Sequence, residues 1–186
     1  MSKSDGKFKD MSIDTEKRDL LCVIDYVARL DYVDSSKLIL AGESQGGFVS
    51  CMVASERNVD KLILLYPALC IPDDARKGKM LFMQFDPENI EDTLKCKLFR
   101  FSPEYPKSAS SLNIYEIITK IPAPILIIHG SKDGIVNIDY AKRAREKAVN
   151  ANSRLIILDG AKHGFNKRQI KIANEHIKAF LNGNGT

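Results

Sequence analysis

The feature that most constrains the fold is a glycine-rich turn at residues 42–47, which follows an apolar run and contains a single serine, Ser44. The run predicts a short buried strand over residues 37–41, and the apolar residues after the turn predict an amphipathic helix from Gln45 to about Glu56. A strand that turns directly into a helix forces the residue at the junction into strained backbone dihedrals. We therefore expect the Ser44 hydroxyl to stand clear of both elements.

The backbone around Ser44 has the features that a nucleophilic serine needs. Glycine is expected at Gly42 and Gly46 because a Cβ at either position would collide with the neighbouring backbone. The predicted helix starts under Ser44, so the backbone N–H of Gln45 and the positive end of the helix face any oxyanion formed there. The turn therefore predicts a nucleophile at Ser44 and an oxyanion donor at Gln45.

A nucleophilic serine needs a base, and the three histidines of the chain are the candidates. His163 lies in a glycine-flanked loop after the apolar run at residues 154–158, from which it can reach over the edge of a sheet. His129 ends the apolar run at residues 125–128, where a structural role is expected. His176 lies on the polar side of the last helix and is expected to be solvated. His163 is therefore the predicted base.

The base needs an acid that orients it, and Asp133 is the candidate. It follows the apolar run at residues 125–128, on the loop beyond the predicted strand. Ser44, Asp133 and His163 thus each follow a separate buried strand, in that order along the chain. In a parallel sheet the loops after the strands emerge at the same edge, where ligands bind. The sequence therefore predicts a Ser-His-Asp triad.

These motifs resemble those of the α/β-hydrolase superfamily, and specifically its serine esterases similar to bacterial cinnamoyl (feruloyl) esterases and S33-type hydrolases. The stretches that carry the resemblance are residues 4–8, 42–47, 66–68, 129–133 and 160–165. The resemblance implies an α/β-hydrolase fold in which a parallel sheet of about four strands has helices on both faces. It also implies that Ser44 is the nucleophile, His163 the base, Asp133 the acid and Gln45 an oxyanion donor.

The resemblance further implies that the chain begins about a third of the way into the usual domain. The first predicted helix, at residues 14–30, is preceded by polar residues without a strand. In the superfamily several strands come earlier, and the loop after the third of them supplies the second oxyanion donor. Residues 4–8 resemble the loop after the fourth strand. We therefore expect the sequence to be either a fragment of a longer gene or a truncated relative.

Between residues 69 and 121 the alternation of strands and helices is lost. The resemblance implies a cap or lid insertion here, on a core formed by residues 1–68 and 122–186. A segment of this length without a regular pattern is uncommon in a compact domain unless it has a function. The polar candidates for substrate contact are Asp74 and Tyr105, together with Asp73 and Tyr115. The apolar candidates for holding an acyl group are Leu81, Phe82, Phe85, Phe99 and Phe101.

Composition disfavours several other classes of protein. The net charge is +4, and the basic residues are spread over helix faces rather than gathered with aromatic residues, which disfavours nucleic-acid binding. No apolar run approaches the length of a membrane span, and the N-terminus shows no hydrophobic signal region. The four cysteines lack C-x-x-C spacing and are expected to be reduced thiols of a cytoplasmic protein. Neither a cofactor nor a metal ion is expected.

Two classes of function remain open. One is an active hydrolase that forms an acyl-enzyme intermediate on a small-molecule ester, such as a hydroxycinnamoyl or other small acyl ester. The other is a weakly active or inactive remnant that keeps the triad without half of its oxyanion hole. A serine peptidase or acyltransferase with the same triad is a further alternative. If the strand at residues 37–41 lacks a neighbour on one side, its exposed edge is expected to form a homo-oligomer.

Overall fold

A computed structural model describes residues 7–80, 83–96 and 99–183. Its helices, in chain order, are α1 (Ile13–Val27), α2 (Ser44–Ala54), α3 (Ile71–Arg76), α4 (Glu104–Ser110), α5 (Ile114–Thr119), α6 (Ile138–Lys147) and α7 (Lys167–Leu181). Its strands are β1 (Ile39–Glu43), β2 (Lys61–Leu65), β3 (Lys79–Met80), β4 (Met83–Gln84), β5 (Leu94–Cys96), β6 (Phe99–Phe101), β7 (Ile125–Gly130) and β8 (Arg154–Leu158). Short 3-10 turns at Phe8–Asp10 and Ser35–Lys37 precede α1 and β1.

A parallel four-stranded sheet in the order β1-β2-β7-β8 forms the centre of the fold. β2 and β7 lie in the middle, and every residue of β7 is buried. The isoleucine-rich sequence of β7 suits this position, because a strand covered on both faces needs apolar side chains in both directions. The predicted parallel sheet is confirmed.

Helices cover both faces of this sheet, as predicted. Successive residues of a strand point to opposite faces. Leu62 and Leu64 of β2 therefore pack in a cluster with Phe48 of α2, whereas Ile63 packs on the other face with Phe180 of α7. Residues of α1, α5 and α6 belong to the first cluster. None of the helices in the described ranges combines the length and the apolar character that crossing a bilayer requires.

The first strand begins later than the sequence predicts. The predicted strand at residues 37–41 is instead Ile39–Glu43. The cause is a local capping interaction, in which the side chain of Asp34 accepts a backbone N–H at 3.0 Å and closes the 3-10 turn Ser35–Lys37. Residues that are committed to a capped turn cannot join the strand.

Residues 69–121 hold only short elements. The antiparallel pairs β3–β4 and β5–β6 follow α3, which packs against α4, and α5 packs against α2 and α6. Residues 1–6, Leu81 and Phe82 lie outside the described residues, as does the side chain of Phe99. The division of the chain into a core and a cap stays a prediction.

Candidate active site

The turn between β1 and α2 has the strained geometry that the sequence predicts. Ser44 is the first residue of α2 and has a φ of 48°, in the left-handed region that residues with a Cβ rarely adopt. A Cβ at Gly42 would lie 2.5 Å from both the carbonyl oxygen of Gly46 and the hydroxyl oxygen of Ser50. Glycine at position 42 therefore lets the chain turn tightly enough to present Ser44.

The prediction that Gly46 also avoids a collision is wrong. A Cβ there would meet no described atom within 4 Å, because this position is exposed on α2. The second close approach is instead at Gly47, where a Cβ would lie 2.9 Å from the Cβ of Pro67. The turn therefore needs glycine at 42 and 47 for space.

The three predicted catalytic side chains meet beyond the carboxyl ends of their strands. The Ser44 hydroxyl oxygen lies 2.8 Å from Nε2 of His163, and Nδ1 of His163 lies 2.8 Å from Oδ2 of Asp133. A carboxylate only accepts hydrogen bonds, so Nδ1–H donates to Asp133 and Nε2 is left to accept from the Ser44 hydroxyl. The predicted approach of the three side chains is confirmed, and their catalytic roles stay a prediction.

Hydrogen bonds between the loops after β7 and β8 hold Asp133 beside His163. The Ser131 hydroxyl donates to the Asp159 carboxylate at 3.0 Å and accepts the backbone N–H of Gly160 at 2.8 Å. One loop therefore carries the acid and the other the base, and the bonds between them set the distance from Asp133 to His163.

The carboxylate of Asp133 is fully buried and is bonded on both oxygens. Its Oδ1 accepts the backbone N–H groups of Ile135 and Val136, each at 2.9 Å. These two bonds orient the carboxylate so that Oδ2 faces His163. The backbone of the loop thus fixes the direction of the acid before any substrate binds.

A cavity of about 450 Å³ opens beside the triad and is lined in part by Ser44, Gln45 and His163. Its volume is within the range of small-molecule sites. The two foremost predicted substrate contacts, Asp74 and Tyr105, line the same cavity. Much of the rest of the wall is apolar and includes Ile71, Met80, Ala109 and Val136. The arrangement can hold a small, largely apolar molecule against Ser44.

The other candidates from residues 69–121 have contacts elsewhere. Asp73 accepts a hydrogen bond from the Tyr140 hydroxyl at 2.8 Å, which joins α3 to α6. The Tyr115 ring lies 4.0 Å from the guanidinium carbon of Arg143. The aromatic candidates that pack into the main core are Phe85 and Phe101. These four residues therefore hold elements together and are not among the described residues that line the cavity.

Residues 4–180, which include the triad and the residues that line the cavity, match the dienelactone hydrolase family. The chain belongs to that family. Its structure is similar to that of Est1E from Butyrivibrio proteoclasticus with ferulic acid bound, with a TM-score of 0.90. The sequence identity is 32%, and the match covers 98% of this chain and 73% of that chain. The predicted α/β-hydrolase fold is confirmed by this match.

More distant proteins are similar to this dienelactone hydrolase family member. Acylamino-acid-releasing enzyme 1 of Oryza sativa subsp. japonica is 25% identical over 88% of this chain, and the chain spans 21% of that enzyme's length. The monoacylglycerol lipase of Paleococcus ferrophilus has a TM-score of 0.67 at 15% identity, over 96% of this chain and 78% of that chain. The lipase is a likeness of fold alone. The family itself is one of hydrolases and esterases.

This member of the dienelactone hydrolase family carries a polar pair in the site that the sequence does not indicate. The side-chain amide nitrogen of Gln45 lies 2.7 Å and 2.9 Å from the two carboxylate oxygens of Glu16 and donates to them. Burial raises the pKa of Glu16 from its ordinary value, while the Gln45 hydrogen bond opposes that rise. A glutamate in the first turn of a helix is common in any protein, so nothing in the sequence singles out Glu16.

His129 is buried beside the predicted acid, Asp133. Its Nε2 lies 3.1 Å from the carbonyl oxygen of Val136 and 3.4 Å from Oδ2 of Asp133. A carbonyl oxygen only accepts, so Nε2 carries the proton. Burial lowers the pKa of His129, which favours the neutral ring. The structural role expected of His129 fits these contacts.

Among the described residues, no group of three or more His, Cys, Asp or Glu side chains is placed to hold a metal ion.

Proposed function

We propose that this chain hydrolyses carboxylic esters through an acyl-enzyme formed on Ser44. The observation that carries the proposal is the pair of 2.8 Å hydrogen bonds that runs from the Ser44 hydroxyl through His163 to Asp133. Such an arrangement activates a serine hydroxyl at neutral pH. Membership of the dienelactone hydrolase family supports the same chemistry.

In the proposed reaction His163 moves protons and Ser44 forms the covalent bond. Nε2 of His163 takes the hydroxyl proton as Ser44 Oγ attacks the ester carbonyl carbon, and the resulting oxyanion faces the N–H of Gln45 at the start of α2. His163 then gives the proton to the leaving alcohol as the C–O bond breaks. Water repeats the sequence on the acyl-enzyme and releases the acid. Asp133 accepts the hydrogen bond from Nδ1–H throughout and stabilises the imidazolium that forms in each step.

We propose that the acyl group is aromatic, as in hydroxycinnamoyl esters. The similarity to Est1E with ferulic acid bound supports this substrate class. Much of the cavity wall is apolar, which suits a ring, and Asp74 and Tyr105 can bond a ring hydroxyl. On this proposal residues 69–121 act as the cap, because Asp74, Met80 and Tyr105 all come from them.

The test measures hydrolysis of methyl ferulate and p-nitrophenyl acetate by the purified chain. Ser44→Ala is expected to lower kcat for both esters by at least about a thousandfold, because the acyl-enzyme cannot form. Asp74→Asn is expected to raise KM for methyl ferulate alone, since acetate has no ring to recognise. Ser111→Ala, an exposed serine, is the control.

Each part of the proposal has its own contrary result. Wild-type rates in Ser44→Ala would exclude Ser44 as the nucleophile. A wild-type chain that binds methyl ferulate without hydrolysing either ester would favour the inactive remnant. Unchanged preference in Asp74→Asn would remove the charge of Asp74 from substrate recognition.

Release of acylated amino acids is a second candidate function. The specific observation in its favour is the 25% identity to the rice acylamino-acid-releasing enzyme. The same triad can attack an amide or an ester carbonyl, so the site geometry does not separate the two. Hydrolysis of N-acetylalanine p-nitroanilide with kcat/KM above that for both esters would favour the peptidase. Turnover of the esters alone would favour the esterase.

A further inference from the structure

The ring of Tyr66 is wedged between two rings of the loop that carries His163. The Tyr66 and His163 ring centroids are 5.1 Å apart at an interplanar angle of 66°, and the Tyr66 and Phe165 centroids are 4.7 Å apart at 81°. Both are edge-to-face contacts, in which the positive edge of one ring meets the negative face of another. Tyr66, directly after β2, therefore contacts the proposed base.

The imidazole of His163 needs a contact of this kind. Its two hydrogen bonds, to Ser44 and Asp133, use the two ring nitrogens, Nε2 and Nδ1. The line through these two nitrogens is one axis of the ring. Hydrogen bonds along an axis do not restrain rotation of the ring about that axis. The Tyr66 ring contacts the imidazole and restrains its rotation about this axis.

Tyr66 is itself held at both ends. Its hydroxyl donates to the carboxylate of Glu43, the residue that precedes Ser44. Its backbone N–H donates to the carbonyl oxygen of Ile128 at 2.7 Å. Burial, followed by the bond to Glu43, raises the pKa of the Tyr66 hydroxyl to about 12. The hydroxyl therefore remains a donor to Glu43 at neutral pH.

The backbone of Tyr66 is strained in the same way as that of Ser44. Their φ values are 36° and 48°, and they are the two residues other than glycine with a positive φ in the described part of the chain. Such conformations persist where the surroundings hold them firmly, and they gather at functional sites. The N–H of Ala68 donates to the carbonyl oxygen of Ser44 at 2.8 Å, which ties the two strained segments together. The side chains of both residues, Ser44 and Tyr66, contact His163.

We propose that Tyr66 is a positioning residue for His163, with its hydroxyl anchored by Glu43. The inference rests on the proposed hydrolase function. Tyr66 is not among the described residues that line the cavity, so it acts on the base and not on bound substrate. Loss of its ring is therefore expected to lower kcat and to leave KM nearly unchanged.

The kinetic test compares loss of the ring with loss of its anchor. Tyr66→Leu removes the ring and is expected to lower kcat for methyl ferulate about tenfold, while KM stays within about twofold. Tyr66→Phe and Glu43→Ala each remove the anchoring hydrogen bond and keep the ring, so similar losses, smaller than that of Tyr66→Leu, are expected. The double variant Tyr66→Phe, Glu43→Ala is expected to lose no more than either single variant. Tyr32→Leu is the control, because Tyr32 is 84% exposed.

Nitrogen-15 NMR of the imidazole groups adds a readout that does not require turnover. The chain has three histidines, and His163→Gln assigns the His163 signals by their loss. Wild type is expected to show His163 in one Nδ1–H form, and Tyr66→Leu is expected to show a second or averaged form. An unchanged His163 spectrum and wild-type kcat in Tyr66→Leu would overturn the proposal.

The experiment distinguishes a folding failure of Tyr66→Leu from a failure of the proposed hydrolase function. If circular dichroism shows that Tyr66→Leu does not fold, the anchor variants decide, and wild-type kinetics and spectra in both would overturn the proposal. If wild type hydrolyses no ester, the proposed hydrolase function fails. The His163 spectra of Tyr66→Phe and Glu43→Ala then still decide whether Tyr66 positions the ring.

Discussion

The two glycines on either side of Ser44, Gly42 and Gly46, differ sharply in the space that each leaves for a side chain. Gly42 sits where an added Cβ would lie 2.5 Å from a backbone oxygen, inside any normal contact distance. Gly46 belongs to the same turn, yet an added Cβ there meets no described atom within 4 Å. Neither glycine has a positive φ among the described residues. The difference between them is therefore one of space and not of backbone conformation.

Alanine substitutions at these two glycines are expected to have different effects on stability. Gly42→Ala is expected to lower the free energy of unfolding by about 1–3 kcal/mol, because backbone atoms must move to admit the methyl group. Gly46→Ala is expected to leave it unchanged or raise it by about 0.5–1 kcal/mol, since alanine loses less backbone freedom in a helix. Urea unfolding of both variants measures the difference. Equal effects at the two positions would contradict the packing of this turn.

Among the elements, α1 places a carboxylate beside the candidate site. The helix starts with a capping box, in which the Ser12 hydroxyl accepts the N–H of Thr15 at 3.1 Å. Glu16 follows in the first turn and accepts both of its hydrogen bonds from Gln45. Burial raises the pKa of Glu16, with the nearby charge of Asp19 adding to the rise. α1 therefore supports the residue after the nucleophile with a carboxylate that is costly to ionise.

Glu16→Gln is expected to change how stability depends on pH. The pKa of Glu16 is raised on folding, so the folded state binds its proton more tightly than the unfolded state. The wild-type chain therefore loses stability as the pH rises from 4.5, the ordinary pKa of a glutamate, through the raised pKa of Glu16. A glutamine at position 16 has no proton to lose in this range, so the variant does not share this loss of stability. The free energy of unfolding of Glu16→Gln is expected to match wild type below pH 4.5 and to exceed it at pH 8.

Thermal or urea unfolding between pH 4 and pH 8 measures this difference. Asp14→Asn is the matched control, because Asp14 lies in the same turn of α1 but is exposed. The control is expected to follow wild type across the range. A Glu16→Gln variant that is less stable than wild type at pH 8 would show that the hydrogen bonds to Gln45 outweigh the cost of burying the charge.

At the scale of the whole molecule, the two edges of the sheet are β1 and β8 within the described residues. On β1 the residues that point to the α7 side are exposed, among them Ile39 at 45%. Val23 and Tyr26 of α1 are also exposed, at 55% and 67%. An apolar strand edge with exposed backbone groups pairs readily with another chain. We propose that copies of this 186-residue chain associate through β1.

A charge on β1 is expected to reverse this association. Ile39→Lys introduces a solvated, like charge at the proposed contact, so its light-scattering mass is expected to stay at that of a monomer at concentrations where wild type forms larger species. Ile157→Lys is the matched control, because Ile157 is 46% exposed on the opposite edge strand, β8. A monomeric wild type that unfolds cooperatively would contradict the proposal, as would an equal effect of the two lysine variants.

The sequence predicts the order and placement of the triad because each member is a local feature. An apolar run marks each strand, and a polar residue in the following loop marks the side chain at its end. Parallel strands then bring the three loops to one edge without further information. Asp74 and Tyr105 were candidates because the resemblance implies a cap at residues 69–121, and both line the cavity beside the triad. Strand limits shift by two residues where the Asp34 cap competes with the sheet.

Contacts between distant segments were decided only by the tertiary structure. Glu16 and Tyr66 lie far along the chain from the side chains that they touch, Gln45 and His163, and no local pattern predicts either contact. The same holds for Gly46, whose surroundings depend on what packs over α2. The sequence by itself predicted which residues come together as the triad, because secondary structure follows from neighbours along the chain. Packing alone decided which residues hold them in place, because it depends on neighbours in space.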